Sequence, residues 1–167
     1  MPRVSARVPR LKAALVLATL LGVFGCDHGT KHLAKAHLEG RDAHELIPGV
    51  FSLRYAENTD TAFSLLSELL KPDVRHVLIS TAGSLALLAF GVLLARRWTE
   101  LNTLQRLGAA AVLGGGLGNL SDRMLRGYVV DFLHLQHWPV FNVADIAICV
   151  GAPLLLFARS AARVSNG

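Results

Sequence analysis

The sequence predicts a mainly α membrane protein: a four-transmembrane-helix bundle with a small extracytoplasmic β-containing subdomain and an interfacial amphipathic helix. Three observations predict it. Of 167 residues, 52% are apolar and only 17% charged, with mean hydropathy +0.43, whereas soluble domains carry about 25% charged residues. The uncharged residues gather into four long runs, and the basic residues are shared unevenly among the segments that separate those runs. Such a composition excludes a disordered chain, and one domain is expected at this length. The net charge of +5 does not point to nucleic acid, because the Lys and Arg residues form no stripe interleaved with aromatics.

The four runs are 13–26, 77–95, 107–121 and 146–158. Only the second reaches the roughly 18 residues that read as a span without further argument. The placement of charge accounts for the other three. With the N-terminus cytoplasmic, Arg3, Arg7, Arg10, Lys12, Arg96, Arg97, Arg106, Arg159 and Arg163 fall on the inner side with a single acid, Glu100, as the positive-inside rule expects. The expected spans are then about 11–28, 74–95, 106–123 and 143–160. All three short runs stop on the outer side at ionisable residues: Asp27, Asp122 with Arg123, and Asp145. A charge at membrane depth costs about 2.5 kcal/mol or more and usually faces a protein interior or a wet cavity. One such acid simply marks where a helix leaves the bilayer; three at one face, with amides at helical spacing beside them, suggest a site.

Between the first two spans lies an extracytoplasmic segment, about 29–73. Helix one can continue through Lys35 to Gly40, a left-handed stop. The end of this helix, Val23-Phe24-Gly25-Cys26, has the outline of a lipidation box, but Phe24 is bulky for it and three more spans follow. After Pro48-Gly49, Phe51, Leu53 and Tyr55 alternate onto one face, so a strand is expected near 50–56. Residues 61–70 place Ala62, Phe63, Leu65, Leu66, Leu69 and Leu70 on one broad face, which reads as an amphipathic helix lying in the membrane interface. In the third span, Gly114, Gly115, Gly116 and Gly118 remove side-chain bulk and allow close helix packing. Beyond it, Tyr128 and Trp138 suit the headgroup level.

The chemistry concentrates in a few polar residues. Asp131 lies in an apolar, extended run. Asp145 opens helix four, with Asn142 three residues before it, so both can point the same way from one turn. Asn119, Asp122 and Arg123 share a face of helix three by the same spacing. Two carboxylates about 4 Å apart at an effective dielectric near 20 repel by roughly 4 kcal/mol, or about 3 pKa units, so Asp131 and Asp145 brought together would titrate as a coupled pair sharing one proton. That is the state an aspartic protease uses.

Other chemistries fit less well. His28, His32 and His37 have no Cys pair near them and His134 and His137 come from a different loop, so no metal site is expected. Cys26 and Cys149 do not make a disulfide framework, and the glycines of helix three lack a following Lys-Ser/Thr, which excludes a phosphate loop. A small ion or proton pathway remains an alternative, since intramembrane Asp residues serve transporters too, although the inner halves of the spans offer only hydroxyls such as Thr19, Ser80, Thr81 and Ser84.

Five blocks, in order, resemble the motifs of the lipoprotein signal peptidases, the bacterial type II signal peptidases, which are intramembrane aspartic proteases. They are Asp27-His28-Gly29-Thr30-Lys31, Asn58-Thr59-Asp60-Thr61-Ala62-Phe63-Ser64, Gly118-Asn119-Leu120-Ser121-Asp122-Arg123, Val129-Val130-Asp131-Phe132 and Phe141-Asn142-Val143-Ala144-Asp145. Each block alone is a weak match; five in order across four spans are specific. The resemblance implies that Asp131 and Asp145 are the catalytic dyad and that Asn58, Asn119, Arg123 and Asn142 surround it and hold substrate backbone. Asp27, Lys31 and Asp122 look structural. It further implies cleavage before the diacylglyceryl-modified Cys of a prolipoprotein at the outer face of the bacterial inner membrane, with both termini cytoplasmic. No metal or cofactor is implied, and the partners are the lipid-modified substrate and membrane lipids, with a monomer as the working unit. One departure stands out: the family usually reads N-x-G-A-A-F, and here Asp60 and Thr61 replace the Gly and first Ala. A specialised paralogue with altered substrate range or inhibitor sensitivity is the alternative this departure raises.

Overall fold

The computed structural model describes residues 7–59 and 71–158. The interfacial helix expected near 61–70 lies outside them, as do Asp60, Thr61, Arg3, Arg159 and Arg163. Four helices and three strands follow one another: α1 (Arg7–Leu38), β1 (His44–Ile47), β2 (Phe51–Asn58), α2 (Pro72–Arg97), α3 (Thr103–Arg126), β3 (Val129–Leu135) and α4 (Val143–Phe157).

Helix α1 runs ten residues past the expected span end, with Asp27 and Lys31 inside it, and stops before Gly40, whose φ of +70° is left-handed. Helix α3 starts on a capping box in which the Asn102 side chain accepts from the Gln105 N–H while Gln105 reaches back to the Asn102 N–H. It ends at Gly127, with φ +83° and its N–H donating to the Arg123 carbonyl. The same Asn102 and Gln105 side chains donate to the carbonyls of Ala158 and Leu155 at the far end of α4, satisfying groups that a helix C-terminus leaves open.

By length and composition, α1 from Lys12 and α2 from Asp73 are long and apolar enough to cross a membrane, and α4 is a shorter apolar helix. Helix α3 is less apolar because glycines and polar residues take up its central face. That face lets the neighbours in. A Cβ on Gly108 would come within 2.6 Å of the Gly151 carbonyl oxygen of α4, and one on Gly115 within 2.5 Å of the Ala144 oxygen. Helix α3 is thereby the central post, with α1, α2 and α4 packed around it.

Burial is inverted relative to a water-soluble protein. Asp27, Lys31, Asp122, Asp131 and Asn142 are buried, whereas Leu17, Leu21, Leu85, Leu88, Leu93 and Leu156 are exposed. Outward-facing leucines around buried ions are what a lipid solvent requires.

The strands form one antiparallel sheet in the order β1-β2-β3. Strand β1 is an exposed four-residue edge that the hydrophobic pattern does not announce. Strand β2 begins and ends a little later than the strand expected near 50–56, and a bulge between Leu53 and Ala56 shifts its register against β3, so that Leu53 faces Leu133 while Ala56 faces Asp131. The expected single face of Phe51, Leu53 and Tyr55 ends at this bulge. An extra residue moves every later side chain to the other face, and Asn58 thereby joins the face that carries Asp131. Strand β3 then turns into α4 through a tight connection closed by pairing of Leu133 with Phe141.

Candidate active site

Asp131 sits in the middle of β3 and is 2% exposed. Asp145 occupies the third position of α4, where it completes a capping box: its backbone N–H donates to the Asn142 side chain at 3.0 Å, and its Oδ2 accepts from the Asn142 N–H at 3.1 Å. This box sets the Asn142 amide. Its Oδ1 must face the Asp145 N–H, so its Nδ2 points the other way and donates to Asp131 Oδ1 at 2.6 Å and to Asn119 Oδ1 at 3.0 Å. Asn119, from α3, in turn donates from Nδ2 to Asp145 Oδ1 at 2.8 Å. The two carboxylates are thus joined through one pair of amides. From the bulged strand, Asn58 Nδ2 donates to Asp131 Oδ2 at 2.9 Å.

Behind the amides is a buried ion cluster. The Lys31 ammonium lies 2.7 Å from Asp27 Oδ2 and 3.0 Å from Asp122 Oδ2, and it donates to Asn119 Oδ1 at 2.9 Å. Asp122 also pairs with Arg126 at 2.7 Å and accepts from the Val130 N–H. Asp27 Oδ1 accepts from the Ala144 N–H at 2.9 Å, in the first turn of α4. Two cations and two anions make the cluster neutral. Gly118 is what admits it: a Cβ there would stand 2.5 Å from Asp27 Oδ2.

Burial pushes the Asp131 carboxyl up to about 6 from an ordinary 3.8; the neighbouring Asp145 charge adds to the rise, while the hydrogen bonds from Asn58 and Asn142 oppose it. A carboxyl titrating near neutrality can hold or release a proton during turnover. Arg123 places its positive charge within electrostatic reach of both Asp131 and Asp145. It also lines, with Asn119, a cavity of about 800 Å³ between α2 and α3 whose remaining walls are apolar side chains such as Leu78, Ala82, Leu87 and Phe90.

All nine residues singled out in the sequence are among those described, and eight of them are joined by the contacts above, with Arg123 beside them. Three features were not read from the sequence. One is the link from Lys31 to Asn119, which crosses from one helix to another and has no sequence spacing. A second is the Asp122 to Arg126 pair, for which the i, i+4 spacing on α3 was an available signal. The third is the close approach of Gly118 to Asp27. Among the described residues no group of three or more His, Cys, Asp or Glu side chains is arranged to hold a metal. His28 instead meets the Ser121 hydroxyl at 3.0 Å and the Phe24 ring edge-on, and His134 meets the Ser52 hydroxyl at 3.2 Å.

This fold recurs in bacterial membrane enzymes. Two solved structures described in those words superpose with TM-scores of 0.71 and 0.67 at 23% and 22% identity, each covering 86% of this chain and 85% or 90% of its own. The profile described as signal peptidase (SPase) II matches residues 19–160. The lipoprotein signal peptidase of Syntrophotalea carbinolica is 37% identical over 157 residues, 92% of this chain and 94% of its own, and that of Actinobacillus succinogenes is 41% identical over 137 residues, 80% and 82%. The chain belongs to the signal peptidase II family, and its function is that of a lipoprotein signal peptidase.

Proposed function

We propose that this chain is an aspartic endopeptidase that removes the signal peptide from diacylglyceryl-modified prolipoproteins. It cuts before the lipidated Cys at the outer face of the bacterial inner membrane, with Asp131 and Asp145 as the dyad. One observation carries the reading: both carboxylates hydrogen bond to the same amide pair, Asn119 and Asn142, and Asn119 also lines, with Arg123, an apolar cavity.

Burial pushes the Asp131 carboxyl up to about 6, which lets the pair enter the reaction with one carboxyl protonated and the other ionised. The ionised member accepts a proton from a water as that water's oxygen attacks the scissile carbonyl carbon. The protonated member donates to the carbonyl oxygen, where negative charge develops. On collapse the C–N bond breaks, the departing nitrogen takes the proton that came from the water, and the other carboxyl recovers its own. Asn58 and Arg123 hold the substrate backbone over the pair. The apolar cavity suits the hydrophobic segment of a signal peptide and the acyl chains of its modified Cys.

The proposed membrane spans are about 11–28, 74–95, 106–123 and 143–160, the last beginning with α4 (Val143–Phe157), with both ends of the bundle's chain cytoplasmic and the chain working as a monomer. From Arg7 to Asp27 is 20 residues, about 30 Å of helix and so one hydrocarbon thickness. The site therefore lies where the outer leaflet meets water. Cleavage of a lipid-modified precursor by purified protein tests the dyad. Asp131→Asn and Asp145→Asn should each lower the rate at least about 1000-fold while the protein still folds, and retained cleavage by either variant would refute the assignment.

A further inference from the structure

We infer that Lys31 is a positioning residue for the reaction: its ammonium orients the Asn119 amide, and through that amide the Asp145 carboxylate. The inference rests on the dyad reading above. An ammonium has three N–H donors and no acceptor; that of Lys31 forms ion pairs with Asp27 Oδ2 at 2.7 Å and Asp122 Oδ2 at 3.0 Å and donates a hydrogen bond to Asn119 Oδ1 at 2.9 Å. A flipped Asn119 would put its NH2 group against a donor-only ammonium. The flip is therefore forbidden, and Nδ2 is forced towards Asp145 Oδ1.

The Asn142 amide has its orientation set independently, by the Asp145 backbone N–H, so the two amides interlock in one sense only. Asp27 reinforces the arrangement from the other side by accepting from the Ala144 N–H, one residue before Asp145. A role limited to charge neutrality would leave the contact with Asn119 without consequence. The relay gives it one: without a donor at position 31, Asn119 Oδ1 keeps only the Asn142 Nδ2 donor, and the Asn119 Nδ2 contact that fixes the Asp145 carboxylate is held from one side instead of two.

The test separates donor from charge in a background where the cluster stays balanced. Asp27→Asn keeps an acceptor for the Ala144 N–H and removes one negative charge, so a neutral side chain at position 31 leaves no unpaired ion. In that background Lys31→Met offers no donor, whereas Lys31→Gln offers an uncharged N–H that can reach Asn119. With folded protein quantified by unfolding in detergent, Lys31→Met should lower kcat on the order of 100-fold relative to Lys31→Gln, with KM for the lipidated precursor unchanged within about twofold. Adding Asn119→Ala should abolish the difference between the two, since the relay then has no middle member.

Equal kcat for the Met and Gln variants, or a difference that survives Asn119→Ala, would overturn the proposal. So would failure of both variants to accumulate while Asn119→Ala accumulates normally, because Lys31 would then serve the fold alone. The dyad reading fails separately, through retained cleavage by Asp131→Asn or Asp145→Asn in the otherwise unaltered chain.

Discussion

At Asp131 the chemistry and the stability of the protein pull against each other. The carboxyl is buried and titrates near 6 in the folded chain against an ordinary 3.8. Between those values the folded state holds the proton more tightly than the unfolded one. This contribution to stability is present below pH 3.8 and lost as pH rises through 6. Asp131→Asn removes the titration. Between pH 4 and pH 7 the wild type should lose about 2 kcal/mol of stability relative to Asp131→Asn, read as a difference in unfolding midpoint that changes steadily with pH. A difference independent of pH would mean that the carboxyl titrates as it does in water. A similar tension runs through Asn58 and Asn142, whose N–H groups favour the ionised form of a side chain that burial drives towards the neutral one.

At the level of elements, α3 determines how closely everything else can approach. Its glycines are not interchangeable. Gly118 abuts the Asp27 carboxylate, so Gly118→Ala should push that group off Lys31 at a cost of about 1 to 3 kcal/mol and lower kcat, because the amide relay sits on the same cluster. Gly22, on α1, has open space around the position of a Cβ, and Gly22→Ala should be neutral or stabilise by up to about 1 kcal/mol, the ordinary helix preference for Ala. Thermal unfolding and cleavage measured on the same two variants check both expectations; equal effects at the two positions would contradict the packing argument. The bulge in β2 is the other element that matters. Were β2 regular from Phe51 onward, Asn58 would lie on the face opposite Asp131, and Asp131 would lose a hydrogen bond.

For the molecule as a whole, the inverted burial defines its solvent. Exposed leucines form the outer shell of the helices, and the buried residues Asp27, Lys31, Asp122, Asp131 and Asn142 gather where α1, α3, β3 and α4 meet. The proposed topology makes a direct prediction in cells. In a chain carrying Cys26→Ala and Cys149→Ala, a cysteine at Asp42 should react with a membrane-impermeant thiol reagent added from the periplasmic side, and one at Glu100 should react only after the membrane is opened. Both positions are exposed on the protein. Labelling in the reverse order would invert the orientation and put Asp131 and Asp145, the proposed dyad, on the wrong side of the membrane for an exported substrate.

Much of this protein is legible without coordinates because lipid imposes simple rules. Apolar runs mark helices, and the few charges that interrupt them stand out for their cost. That reasoning reaches Asp27, Asp122 and Asp145 directly, and the Asn142 to Asp145 spacing foretells a shared helical turn. Polarity and helical spacing also single out Asn119, Asp131 and Arg123, and the motif blocks add Asn58 and Lys31. What composition and spacing do not carry is partnership across elements. The four-residue strand β1 is too short for a pattern, the bulge in β2 depends on its register against β3, and the link from Lys31 through Asn119 to Asp145 joins three helices whose relative placement is set by glycine contacts. The solvent, the helices and the chemical inventory are readable from the chain alone, since they follow from local polarity. Which donor faces which acceptor depends on the folded arrangement, because hydrogen-bond direction is a property of groups brought together from distant parts of the chain.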